Sequence, residues 1–143
     1  MASVSILKDA SEQAAGDIAD LMASLRGDTQ SRGTLDELKL LVADPDVRIF
    51  VAEDGGKILG VAFLFIHNKF GKRTGYVEDV VVSEASRGQG FGRKLMEALI
   101  GEARASGISS LSLTSRPARE AANALYQKLG FEKIETNPYK LVL

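Results

Sequence analysis

"YVEDVVVSEASRGQGFGRKL", residues 76–95, decides how the rest of the chain is read. A β-rich apolar run, Tyr76–Val82, leads through a polar turn into Gly88, Gly90 and Gly92, with Arg87 and Arg93 on either side. Leu95, Met96, Leu99, Ile100 and Ala103 then recur at helical spacing. The local order is strand, glycine loop, helix. A loop of this kind can be a loose connection. It can also be a phosphate cradle, because a helix N-terminus points several backbone N–H groups and a partial positive charge at one place. Glycine lets an anion approach that backbone closely. Other nucleotide motifs do not fit. No Lys-Ser or Lys-Thr follows, and "GQGFGR" gives G-x-G-x-G rather than G-x-G-x-x-G. The strand also arrives late, whereas a Rossmann unit normally opens its fold.

Upstream, Val4–Leu7 reads as a first strand, and Ser11–Leu25 carries apolar residues at helical spacing until Gly27 and Asp28 end it. "GDTQSRG" reads as a polar loop. Thr34 with Glu37 is a capping box, which predicts a helix from about Leu35 to Ala43. Val47–Glu53 and Ile58–Ile66 form a hairpin across "EDGGK", and "HNKFGKRTG" turns into the strand 76–82. Downstream, Ile108–Leu113 is a strand, and Glu120–Leu129 is a helix with Gly130 at its C′ position. Phe131–Glu135 and Tyr139–Leu143 read as two closing strands. The order is β-αα-β-β-β-α-β-α-β-β: antiparallel meanders, then a right-handed βαβ crossover making strand 76–82 parallel to 108–113. The class is mixed α/β with a mostly antiparallel sheet.

The 143 residues predict one domain, 1–143, with 45% hydrophobic and 26% charged residues. A net charge of -1 gives no bulk attraction to nucleic acid. The absence of cysteine excludes disulfides, a thiolate nucleophile and Cys-based zinc sites. His67 is the one histidine and reads as a surface residue at a strand end beside the basic turn of Lys69, Lys72 and Arg73. No signal-peptide pattern opens the chain, and no apolar stretch is long enough to span a bilayer. The cytoplasm is the default location.

The stretch "VVVSEASRGQGFGRKLMEAL" resembles the acetyl-coenzyme A motif of the Gcn5-related N-acetyltransferase (GNAT) family. Arg87, Gly90 and Gly92 match its core pattern: Arg or Gln, two residues, Gly, one residue, Gly or Ala. "AANALYQKLGFEKIE" resembles the family's C-terminal helix and strand. The resemblance implies the GNAT fold, a mixed, mostly antiparallel sheet of about seven strands flanked by four helices. It implies acetyl-coenzyme A as cosubstrate, no metal, and direct attack of an amine on the thioester. The pyrophosphate is then expected on the loop of Arg87, Gly88, Gln89, Gly90, Phe91, Gly92 and Arg93. Pantetheine is expected to pair with the backbone of Val80, Val81 and Val82.

Two proton-transfer roles remain. Tyr126 matches the tyrosine that often protonates the leaving thiolate in the family, and a phenol suits that transfer. It could instead only pack against the sulfur. Glu78 is the candidate base, since a carboxylate within a Val-rich strand is costly without a task or a partner; it could equally be a hydrogen-bonded structural carboxylate. Alternation puts Glu78, Val80 and Val82 on one face and Asp79 and Val81 on the other, which makes Asp79 the weaker candidate. Many family members carry an asparagine seven residues before the tyrosine, where this chain has Arg119. Asn123 could contact the cofactor in its stead, or lie on the surface. Arg116 and Arg119 could meet the adenosine 3′-phosphate or a substrate carboxylate, or begin a solvated helix.

The function these residues imply is acetyl transfer to a primary amine of a small molecule: an amino acid, polyamine or amino sugar. The run "VEDVVVSEASRGQGFG" especially resembles the glucosamine-phosphate acetyltransferase branch, but the N-terminal half offers no matching substrate motif. A protein or peptide N-acetyltransferase and a catalytically silent coenzyme A sensor are the alternatives. Glu78 and Tyr126 together favour an enzyme. No nucleic-acid or membrane partner is expected. By analogy with the family, "FEKIE" and "YKLVL" could pair or exchange across a homodimer.

Overall fold

The computed structural model describes residues 2–27 and 32–143. Asp28 and most of the "GDTQSRG" loop lie outside them. Five strands form one sheet in the order β1-β2-β3-β4-β5: β1 Ser3–Ile6, β2 Val47–Asp54, β3 Lys57–Lys69, β4 Lys72–Val82 and β5 Leu111–Ser112. Pairing is antiparallel from β1 to β4, and β5 joins β4 in parallel. Four α-helices flank the sheet: α1 Glu12–Arg26, α2 Leu35–Ala43, α3 Phe91–Ala105 and α4 Glu120–Lys128.

The helix ends follow the sequence signals. Ser11 caps α1 by accepting from the Ala14 N–H, and Thr34 and Glu37 form the capping box of α2. The C-terminus of α4 is a Schellman motif. The Gly130 N–H donates to the Gln127 carbonyl at 3.1 Å, and the Phe131 N–H to the Tyr126 carbonyl at 3.0 Å. Gly130 takes the left-handed conformation this requires, at φ 101°. The same turn sets the Phe131 ring edge-on to Tyr126, with centroids 5.9 Å apart. A local stop signal thus fixes a candidate catalytic ring.

Each face of the sheet buries its own core. Against α3 and α4 lie Phe50, Leu64, Val77, Leu95, Met96 and Leu99. Against α1 and α2 lie Ile18, Leu38, Ile49, Val61, Phe63 and Val81. Leu95, Met96 and Leu99 are fully buried, and each contributes roughly 1.5–3 kcal/mol.

The expected seven strands are five among the described residues. The predicted strand 108–113 pairs only at Leu111 and Ser112, and neither 131–135 nor 139–143 joins the sheet. Alternating apolar residues favour an extended chain but supply no hydrogen-bonded edge to receive it. Here Ile134, Tyr139, Leu141, Val142 and Leu143 stay exposed.

Candidate active site

The site begins where β4 loses its neighbour. β4 and β5 pair only at Gly75 with Leu111 and Tyr76 with Ser112. Beyond Tyr76 the two strands part, and a cleft of about 1330 Å³ opens between β4, residues 113–116 and α4. A bulge helps to turn the strand. The register with β3 shifts between Val61 and Phe63, and Asp79 adopts a positive φ of 53°. The extra residue reverses the pleat.

That bulge corrects the alternation read from sequence. Glu78 faces α1 and α2 with its cross-strand partner Phe63, and Val81 follows it onto that face with Val61. Val80 and Val82 pack on the α3 side. Asp79 does not point away from Glu78's side either: it forms an ion pair with Arg26 of α1. A one-residue bulge inverts every later side chain, and no period-2 pattern can reveal it.

The glycine loop closes one end of the cleft. Gly90 is the N-cap of α3 in the left-handed conformation, φ 81°, where a side chain would be strained. Among the described residues no side chain caps the helix, and its first turn holds no acidic residue. Its first amides are therefore left for an external anion. Arg87, Gly88, Gly90, Phe91, Gly92 and Arg93 line the cleft. Gln89 does not, and Arg93 also lies 3.6 Å from the Glu97 carboxylate.

Tyr126 enters from α4 and is 6% exposed. Burial pushes its hydroxyl pKa up, and the nearby Arg119 guanidinium pulls it partly back. Arg119 also reaches across the cleft, its Nη2 3.4 Å from the Val80 carbonyl oxygen. On the opposite wall burial raises the Glu78 carboxyl above the usual range, Asp79 raises it further, and Arg26 offsets part of the rise. A phenol and a carboxylate thus flank one cleft.

The Acetyltransferase (GNAT) family profile matches residues 16–131. The chain belongs to that family. It is 37% identical over 90 residues to the IAA acetyltransferase of Azospirillum brasilense, covering 63% of this chain and 58% of that protein. It is 36% identical over 91 residues to the glucosamine 6-phosphate N-acetyltransferase of Trypanosoma brucei brucei, covering 62% of this chain and 60% of that protein. The chain thus spans about three-fifths of the length of these curated relatives. A solved acetyltransferase of Trypanosoma brucei superposes with a TM-score of 0.80 at 28% identity, each chain fully covered.

Within this GNAT fold, Glu78, Val80, Val81, Val82 and Tyr126 line the same cleft as the glycine loop. Asn123 is not among the lining residues; from the first turn of α4 its amide donates to the Arg116 carbonyl at 3.0 Å, in the segment leading into that helix. Sequence reasoning passed over Ser115. It lines the cleft, and its buried Oγ has no hydrogen-bond partner among the described residues. Such a group is costly unless water or a ligand's polar atom meets it. The signal was there: Ser115 continues the inward alternation of Leu111 and Leu113, a hydroxyl on an otherwise apolar face. Among the described residues, no helix is long and apolar enough to cross a membrane.

Proposed function

We propose that this GNAT protein is an N-acetyltransferase moving an acetyl group from acetyl-coenzyme A to a primary amine of a small molecule. One observation carries the reading: an uncapped, glycine-led helix N-terminus and a buried tyrosine face one cleft beside a strand edge. Acetyl-coenzyme A supplies the acetyl thioester. The backbone amides of residues 88–93 hold its pyrophosphate, with Arg87 and Arg93 offsetting charge. The edge of Val80, Val81 and Val82 pairs with the pantetheine amides, and Ser115 Oγ adds a polar contact.

Glu78 takes the proton from the substrate ammonium, and its raised pKa makes it a stronger base than an ordinary carboxylate. The neutral amine nitrogen bonds to the acetyl carbon, its second proton passes to solvent, and the carbon–sulfur bond breaks. Tyr126 gives its proton to the leaving thiolate and is reprotonated from solvent. Its elevated pKa keeps it protonated at neutral pH. Following thiol release across amines tests the reading. Amine-dependent release supports it, whereas tight coenzyme binding without release from any amine favours the sensor.

We also propose a cytoplasmic homodimer in which the exposed apolar residues of 134–143 are covered by a second copy. Light scattering should show twice the monomer mass for the full chain and the monomer mass when 134–143 is removed.

A further inference from the structure

β4 has a second cavity on its other side, of about 430 Å³, within the range of small-molecule sites. Ile18 and Met22 of α1, Leu38 of α2 and Phe63 and Phe65 of β3 wall it. The two phenylalanine rings lie 12° from parallel with centroids 6.2 Å apart. This cavity and the coenzyme cleft have three lining residues in common: Arg26, Glu78 and Asp79. The Glu78 carboxylate therefore stands at the junction. Phe63 is its cross-strand partner, and Phe65 is that of Tyr76. An amine held at Glu78 has its substituent directed against two aromatic rings.

The charges narrow the class further. Two arginines line the cavity. Arg26 is paired with Asp79, and Arg32 donates to the Asp20 carboxylate at 2.8 Å. Each guanidinium already meets a carboxylate, so a phosphate would have to compete with that partner for it. Glu78 makes no salt bridge among the described residues. The surplus charge at the junction is negative, and the walls beyond it are mostly apolar, with Arg32, Thr34 and Glu37 as the polar exceptions.

From this geometry, and resting on the acetyl-transfer reading above, we infer that the acceptor is a primary amine on an apolar body, aromatic or branched aliphatic. A phosphorylated amino sugar would bring an anion to a cavity whose two arginines already face carboxylates. A polyamine would bring a second ammonium among rings and methyl groups, where the further carboxylate, Glu37, is already engaged in its capping box with Thr34.

The test compares kcat/KM for 2-phenylethylamine, isoamylamine, glucosamine 6-phosphate and spermidine, with calorimetry of acetyl-coenzyme A alongside. The two apolar amines should exceed the other two by about tenfold or more. Phe65→Gln should raise KM for 2-phenylethylamine by about tenfold and leave coenzyme affinity unchanged. Phe65 is only partly buried, and a melting curve checks the fold; if the variant unfolds, Met22→Gln replaces it. Preference for glucosamine 6-phosphate or spermidine, or equal rates for all four, overturns the inference. So does coenzyme binding with no turnover of either apolar amine. Absent coenzyme binding instead removes the acetyl-transfer reading itself.

Discussion

The two cavities beside β4 are built from different materials. The proposed coenzyme cleft offers main chain at its key points: helix amides behind Gly90, the edge of β4 beyond Tyr76, and the carbonyl that Arg119 meets. The other cavity is made of side chains from α1, α2, β3 and β4. A backbone site demands glycine at set intervals and so leaves a compact motif. A side-chain site draws single residues from distant elements and leaves none. That difference explains why the donor is easy to name and the acceptor is not.

The backbone side is the easier to break. Gly90→Val forces a β-branched residue into the left-handed region, costing roughly 1–2 kcal/mol of stability. It also blocks the approach to the amides. Calorimetry should show coenzyme affinity falling by about a thousandfold, the loss of two or three charge-assisted hydrogen bonds, while the domain stays folded. Retained affinity would place the anion elsewhere.

Tyr126→Phe tests the wall shared by ring packing and chemistry. The Schellman turn and the Phe131 contact should survive, so coenzyme affinity should hold while kcat falls about a hundredfold. An unchanged kcat would leave Tyr126 a packing residue.

Glu78→Gln sharpens the junction between the cavities. The base must be ionised, so kcat/KM should rise with pH through a pKa lifted above the ordinary carboxylate range by burial and by Asp79. The variant should lose that acid limb and about tenfold or more in rate near pH 7. A pH profile identical to that of the unaltered protein would assign the base to another group.

Arg119→Ala should have the smallest effect, about a fivefold loss in kcat. Removing the cation lets the Tyr126 pKa rise further, so the alkaline limb should move to higher pH. A limb that stays in place would separate Arg119 from Tyr126.

What could be read from the sequence follows the same division. The capping box, the C′ glycine, the helix order and the parallel β4–β5 pair were all legible, because each rests on local chemistry or short-range periodicity. The bulge at Asp79 was not, since an Asp within a β-rich run is unusual but does not say that the chain carries an extra residue there. The Arg26–Asp79 pair was equally hidden, because it joins residues far apart in the chain. The alternation in "FEKIE" and "YKLVL" suggested strands, but alternation alone could not provide a partner strand, and neither stretch joins the sheet.

The central claim is that the glycine-led end of α3 and the edge of β4 form a coenzyme A site. Calorimetric titration of the unaltered protein with coenzyme A tests it most directly. The account predicts saturable binding of one coenzyme A per chain. No binding at millimolar ligand would contradict it.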